Sequence, residues 1–131
     1  MKNVLLLLAL ATPAAAQGPD WSKAQPISIV MTDHGYVPRR ITISRNAIYA
    51  LHISNQSDKG HNLTQEAFFA SARVPADERG WTRDGQIVLG AHERTVVHFR
   101  APNTRSGGTY QFSSTTLSDA DSDYKGMFVI R

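Results

Sequence analysis

The segment "TYQFSSTTLSDADSDYKGMFVIR", residues 109–131, closes the chain with two strand-like runs on either side of a polar loop. An apolar alternation leads into a loop of small and acidic residues, and Gly126 then precedes a last apolar run at residues 127–130. This is the outline of a metal-binding loop between two strands. The loop contains no Cys and no His, so the outline is present without an obvious set of metal ligands.

Short apolar segments of the same kind recur before this one, separated by turn-forming residues. Alternation of apolar and polar residues predicts strands with one buried face. Only "QEAFFASARV", residues 65–74, is typical of a helix. About seven or eight short strands with one short helix predict an all-β sandwich. The strand-like segments are residues 27–31, 41–43, 49–53, 86–90, 95–99, 109–114 and 127–130.

The first residues have the pattern of a secretory signal peptide. In "MKNVLLLLALATPAAA", residues 1–16, a basic Lys2 precedes an apolar run that ends in small residues. That run is too short to span a bilayer, and no later stretch approaches the ~20 apolar residues of a transmembrane helix. We therefore expect an exported protein, periplasmic or secreted, with one domain at residues 17–131. About 115 residues are enough for one modest core.

Charge and cysteine content narrow the possible functions. The net charge is +3, and positive and negative residues are interspersed, which argues against a nucleic-acid or anionic-membrane surface. The chain contains no cysteine. This excludes disulfides, cysteine zinc sites, thiol catalysis and copper sites that use a thiolate of this chain.

Two longer segments resemble a known family in order and spacing. In "GYVPRRITISRNAIYALHISNQSDKGHNLT", residues 35–64, an aromatic-x-Pro turn leads to strands, the second of which ends in Asn before a loop that delivers a His. In "GAHERTVVHFRAPNTRSGGTYQF", residues 90–112, a turn precedes an apolar strand and an "A-P-x…G-x-Y-x-F" pattern. Together they are similar to the cupredoxins, exported copper proteins. The resemblance implies a Greek-key β-sandwich over nearly all of residues 17–131.

The resemblance also implies where a copper site would lie. Cupredoxins hold blue copper with two His, one Cys and a weak axial Met. His61 stands in the place of the first His, and Ser114 stands in the position of the Cys. Asp119 follows five residues later, where the family has its second His, and Tyr124 ten residues later, where it has Met. The resemblance therefore implies a copper site with three of its four ligands replaced.

The position of the axial ligand has an alternative. A different register would place Met127 there, because it follows Gly126. That register requires a loop of thirteen residues and shortens the last strand, so Tyr124 is preferred.

The leading hypothesis for these positions is a degenerate copper site. Ser114, Asp119 and Tyr124 would then form a hydrogen-bonded plug around His61, and the fold would serve as a binding module for an exported protein or a small ligand. Electron transfer by type 1 copper is excluded unless cysteine comes from elsewhere, and no enzymatic activity is expected. Fold alone does not carry function.

Two other hypotheses remain open. His61, Asp119 and Tyr124, with Ser114 or water, would give a harder ligand set that suits ordinary Cu(II), Zn(II) or ferric iron. Ser114, His61 and Asp119 are also the residue types of a hydrolase triad. The sequence has no G-x-S-x-G elbow to expose the serine, which argues against the hydrolase.

The remaining histidines have ordinary structural explanations. His52 and His98 alternate within strand-like segments and are expected on strand faces. His92 stands where the family often has a turn glycine, and His is one of the residues that tolerate positive φ. His34 is expected in a turn.

Overall fold

A computed structural model describes residues 18–131 of the chain. The predicted signal peptide, residues 1–16, lies outside the described residues and stays a prediction. Within residues 18–131 there is no helix with both the length and the apolar character needed to cross a membrane.

The described chain is a sandwich of two β-sheets, which confirms the predicted all-β Greek-key class. The four-stranded sheet has the order β2-β1-β4-β7, and the five-stranded sheet has the order β3-β9-β8-β5-β6. β1 pairs in parallel with β4, and β3 pairs in parallel with β9. The strands are β1 Gln25–Thr32, β2 Gly35–Val37, β3 Arg40–Ile43, β4 Ile48–Asn55, β5 His61–Thr64, β6 Gln86–Leu89, β7 Arg94–Arg100, β8 Thr109–Ser113 and β9 Lys125–Ile130.

Residues 18–131 contain nine strands, against the about seven or eight predicted from the sequence. The two additional strands are β2 and β5. β2 has three residues and lies inside the segment predicted as a turn. β5 has His61, Asn62 and Leu63 buried in succession, so it shows no alternation of buried and exposed residues.

One α-helix, α1 at Glu66–Ser71, confirms the predicted helix. The Gln65 side chain caps it by accepting a hydrogen bond from the Ala67 backbone N–H. The segment after α1 forms 3₁₀ turns at Ala76–Gly85. Further 3₁₀ turns lie at Trp21–Lys23 and Leu117–Asp119.

Aromatic rings fill the space between the sheets. Phe68 of α1 stacks on Phe128 of β9 with ring centroids 4.3 Å apart, and it meets Phe99 of β7 edge-on at 5.4 Å. Phe112 of β8 lies 5.0 Å from Phe128. A Cβ at Gly126 would overlap the Phe112 ring, so the exit from the last loop requires glycine. The core thus fixes where that loop returns to the sheet.

Candidate functional site

His61 reaches the site on a loop that is held by a buried asparagine. The Asn55 side chain donates from Nδ2 to the carbonyl oxygen of Lys59 at 2.7 Å. Its Oδ1 accepts from the backbone N–H and the hydroxyl of Ser57, at 3.0 and 2.8 Å. These bonds close the turn between β4 and β5. His61 follows as the first residue of β5, opposite Leu89 of β6.

A second asparagine joins β5 to the loop that follows β8. The Asn62 Oδ1 accepts from the backbone N–H of Thr115 at 3.0 Å, and its Nδ2 donates to the Thr115 hydroxyl at 3.0 Å. The Asn62 backbone N–H donates to Ser114 Oγ at 3.3 Å. Ser114 is therefore held directly beside the strand that carries His61.

One carboxylate oxygen gathers three donors at this end of the sandwich. Asp119 Oδ2 accepts from His61 Nδ1 at 2.6 Å, from the Ser114 hydroxyl at 2.5 Å and from the Thr116 hydroxyl at 2.7 Å. His61 and Asp119 are only 2% and 7% exposed, and Ser114 is also buried. We call His61, Ser114, Thr116 and Asp119 the polar cluster.

The polar cluster keeps Asp119 ionised. Burial alone would raise the pKa of the Asp119 carboxyl, but the hydrogen bonds from Ser114, His61 and Thr116 and the charge of His61 outweigh it, and the pKa lies below its ordinary value. Because a carboxylate is the acceptor, the proton of this hydrogen bond belongs to His61 Nδ1. The carboxylate is thus a fixed negative charge inside the fold.

Tyr124 packs against the polar cluster through its ring and not through its hydroxyl. Its ring is stacked on His61 with centroids 4.5 Å apart and planes at 16°. The hydroxyl donates to the carbonyl oxygen of Thr32 at 2.7 Å. Burial raises the pKa of Tyr124, and the negative charge of Asp119 adds to the effect. The phenol is therefore neutral and directed at the backbone of β1.

The other candidate for the axial position, Met127, lies elsewhere. It is in β9, where Gly126 and Phe128 are buried and Met127 belongs to the alternate, less buried set of residues. It pairs with Arg40 of β3 and Gln111 of β8. Tyr124, and not Met127, is the residue that contacts His61.

The second ring nitrogen of His61 is unusual. Its Nε2 is buried and has no hydrogen-bond partner among residues 18–131. Such a buried atom normally has a protein or water partner. The histidine thus has one nitrogen fixed by Asp119 and one without a partner in the described part of the chain.

The ligand chemistry of blue copper does not fit these residues. The chain has no cysteine to supply a thiolate. Asp119 Oδ2 already accepts three hydrogen bonds, and the Tyr124 hydroxyl is bonded to the backbone. Among residues 18–131, no three or more His, Cys, Asp or Glu side chains are grouped so that they could hold a metal ion.

The hydrogen bonds also have the wrong order for a hydrolase triad. In such a triad the histidine lies between the serine and the aspartate and takes the serine proton. Here the Ser114 hydroxyl donates to Asp119, so the carboxylate lies between serine and histidine. Ser114 therefore lacks the base that would activate it, and this geometry contradicts the hydrolase hypothesis.

Sequence analysis missed two contributors, Thr116 and Asn62. Thr116 lies two residues beyond Ser114 and supplies the third donor to Asp119. Asn62 directly follows His61 and bonds to the loop residue Thr115. Their signal in the sequence is adjacency to the predicted ligand positions, which indicates proximity but not hydrogen bonding.

The remaining histidines lie where they were expected. His92 is in a turn with φ of 60°, and its Nε2 lies 2.7 Å from Asp58 Oδ1. His98 of β7 is half-buried beside Glu78, and His52 of β4 is exposed. His34 lies in the turn between β1 and β2.

Comparison with known proteins agrees with the fold. The sequence matches the family model described as a cupredoxin-like domain over residues 3–130. No curated protein matches the chain.

Solved structures of auracyanins are similar to this chain in fold. Dithionite-reduced auracyanin from the photosynthetic bacterium Roseiflexus castenholzii has a TM-score of 0.59 at 17% identity, over 82% of this chain and 98% of that one. Auracyanin B has a TM-score of 0.57 at 16% identity, over 82% and 89%. Auracyanin A, a "blue" copper protein from Chloroflexus aurantiacus, has 0.53 at 18% identity, over 81% and 99%. At sequence identities this low, the structural similarity shows a shared fold.

Proposed function

The chain belongs to the cupredoxin-like family, and we propose that it is an exported binding module and not an electron carrier. In this proposal the Asp119 carboxylate takes the place that copper has in the blue copper proteins of the family. Export to the periplasm or the exterior is supported by the N-terminal pattern of residues 1–16.

The observation that carries the proposal is the convergence on one oxygen atom. His61, at the position of the first copper ligand, and Ser114, at the position of the cysteine, both bond to Asp119 Oδ2. In a metal site, such side chains converge on the ion. Here they converge on a carboxylate that comes from a third ligand position.

The cluster gives this end of the sandwich a defined shape without a metal. Buried polar groups stabilise a fold when they have partners, and Asp119 Oδ2 has three, although His61 Nε2 has none among residues 18–131. The asparagine bonds of Asn55 and Asn62 fix the two segments that meet there. The segments at this end of the sandwich are therefore held in one conformation, which suits recognition of an exported protein or a small ligand.

A metal site of harder character is the second candidate, and one observation favours it. A histidine that binds a metal commonly bonds to a carboxylate through its other ring nitrogen. His61 has that arrangement, with Nδ1 on Asp119 and a buried Nε2 that lacks a partner among residues 18–131. In this arrangement His61 Nε2 would bind Cu(II), Zn(II) or ferric iron, and Asp119 would orient the ring. The full ligand set expected from the sequence, His61, Asp119 and Tyr124 with Ser114 or water, would require Asp119 and Tyr124 to give up the hydrogen bonds that they make here.

Thermal unfolding with and without metal separates the two candidates. An ion that binds only the folded state raises the unfolding midpoint by mass action. The proposal predicts that Cu(II), Zn(II) and Fe(III) leave the wild-type midpoint unchanged. A rise in the wild type that is lost in both His61→Ala and Asp119→Ala, and kept in the control His92→Ala, would replace it with the metal-binding alternative.

A further inference from the structure

The outer face of the four-stranded sheet carries a groove that shares no residue with the polar cluster. Strand pairing places Ser28, His52 and Val96 in one row across β1, β4 and β7. The next row contains Val30, Ser54 and Arg94. The intervening residues Ile29 and Ile53 are buried in the core, so these two rows face outward.

These two rows line a groove of about 510 Å³, which we call the outer groove. Ligand sites for small molecules commonly have volumes of roughly 300–1,000 Å³. The outer groove therefore has the size of a small-molecule site. Its lining residues are Ser28, Val30, His52, Ile53, Ser54, Arg94, Thr95 and Val96.

Positive charge in the outer groove is not neutralised by the described chain. Within residues 18–131 the Arg94 side chain has no hydrogen bond or ion pair, and the lining contains no carboxylate. The neighbouring acid, Glu93, accepts from the backbone N–H of Gly90 at 3.2 Å. Asp58, at the end of the adjoining turn, pairs with His92. Arg94 is therefore available to an anion.

His52 adds a second donor close to Arg94. The two residues are diagonal neighbours across the antiparallel pair of β4 and β7. Such neighbours are about 7–8 Å apart, within reach of long side chains. His52 can donate from a ring N–H in either protonation state, and Ser28 and Ser54 add hydroxyl donors on the same face. The donors thus lie on the middle strand of the outer groove and at two of its four corners.

The other two corners of the outer groove are apolar. Val96 of β7 is 37% exposed, and Val30 of β1, on the opposite side of β4, is half-buried. Val37 of β2 pairs with Val30 and is also exposed, so it extends the apolar surface on that side. Apolar atoms next to an unpaired guanidinium fit a ligand that has both a charged and an apolar part.

We propose that the outer groove binds a small organic carboxylate with an apolar body. The carboxylate accepts a bidentate hydrogen bond from Arg94 and a bond from His52, and the body lies over β4 between Val30 and Val96. A second copy of this chain that packed face to face is a poorer occupant, because the groove lining contains no carboxylate to pair with a buried Arg94. The site goes beyond the proposed function of the polar cluster.

Amide chemical shifts measured during ligand titration test the proposal. The probes are hexanoate, hexanol of the same length, and inorganic phosphate, each added to the ¹⁵N-labelled full chain. We expect hexanoate to shift the amides of β1, β4 and β7 around Ser28, His52 and Val96, and to bind more tightly than either other probe. Arg94→Gln should weaken hexanoate binding about tenfold, because it removes a charge-assisted bond.

A matched control is Arg105→Gln, which removes an exposed arginine from a loop outside the outer groove. Hexanoate should bind this variant as it binds the wild type. If hexanoate binding weakens equally in both variants, it depends only on the net charge of the protein, and the proposal is overturned. Shifts that map to other residues, or phosphate binding as tight as hexanoate, would also overturn it. Failure here leaves the metal titration of the polar cluster unaffected, since the two tests use different residues.

Discussion

Two histidine–aspartate pairs in this protein have nearly the same geometry and opposite surroundings. His61 Nδ1 lies 2.6 Å from Asp119 Oδ2 inside the fold, with both side chains less than a tenth exposed. His92 Nε2 lies 2.7 Å from Asp58 Oδ1 on a turn, with the two side chains 65% and 92% exposed. The pairs differ in access to water and in the number of donors on the aspartate, since Asp119 also accepts from Ser114 and Thr116. The comparison therefore shows what burial within a cluster adds to a histidine–aspartate pair.

Water can take the place of either partner in the exposed His92–Asp58 hydrogen bond, but it cannot do so in the buried His61–Asp119 hydrogen bond. If Asp58 is removed, water can solvate the His92 ring, and the fold loses little. If Asp119 is removed, the buried residues His61 and Ser114 and the half-buried Thr116 each lose a partner. An unpaired buried donor retains its full desolvation cost. The same two residue types are therefore a turn feature in one place and a part of the core in the other.

Asp119→Ala should give the largest effect. Breaking a buried, hydrogen-bonded charge pair costs about 3–5 kcal/mol of unfolding free energy. The measurement is urea unfolding followed by fluorescence, with Asp58→Ala as the matched control. We expect no measurable change in the control. If the two variants lose equal stability, burial does not distinguish the pairs and the comparison fails.

Ser114→Ala keeps the test valid if Asp119→Ala does not fold. It removes one of the three donors to Asp119 and leaves the other two in place. Loss of a hydrogen bond to a charged group should cost about 1.5–3 kcal/mol. A stability equal to that of the wild type would show that the hydrogen bond from Ser114 to Asp119 does not stabilise the fold.

Stability should also depend on pH through Asp119. The pKa of this carboxyl in the folded state lies below its ordinary value, so the unfolded chain takes up the proton first as pH falls. The stabilisation is therefore present above about pH 4, the ordinary value for Asp, and is lost as pH falls through the folded-state pKa. Unfolding free energies measured from neutral to acid pH should fall more steeply for the wild type than for Asp119→Asn. Parallel curves would contradict this assignment.

A third pair, His98–Glu78, has intermediate burial and should have the smallest measurable effect. His98 Nδ1 lies 3.0 Å from Glu78 Oε2, and Glu78 Oε1 also accepts from the His98 backbone N–H at 2.9 Å. Glu78→Ala should cost about 1 kcal/mol, the usual net value of a hydrogen bond. Urea unfolding should place it between Asp58→Ala and Asp119→Ala. A loss of stability as large as that of Asp119→Ala would contradict the expectation that the loss increases with the burial of the pair.

The sequence was sufficient for most of the fold. Alternation of apolar residues locates strands that have one buried face, and seven of the nine strands in residues 18–131 belong to that kind. It could not locate β5, where consecutive residues are buried, or β2, which has only three residues. Short strands of this type are defined by their pairing partners, which sequence periodicity does not contain.

The grouping of the four candidate residues was predictable from the sequence, but their hydrogen bonds were not. Family spacing singled out His61, Ser114, Asp119 and Tyr124, and the structure places all four in one contiguous group. Spacing does not say which atom each side chain contacts. Ser114 donates to Asp119 and not to His61, and the Tyr124 hydroxyl bonds to Thr32. Those choices depend on side-chain direction in three dimensions, which also explains why Thr116 was missed.

The central claim is that the Asp119 oxygen occupies the position of the metal in a cupredoxin fold. The most direct measurement is the visible absorption spectrum of the variant Ser114→Cys, Asp119→His and Tyr124→Met in the presence of Cu(II). These changes remove the carboxylate and supply a thiolate, a second imidazole and a thioether beside His61. We predict an intense Cu–thiolate band in the variant and none in the wild type. A variant that folds and binds copper without this band would contradict the claim.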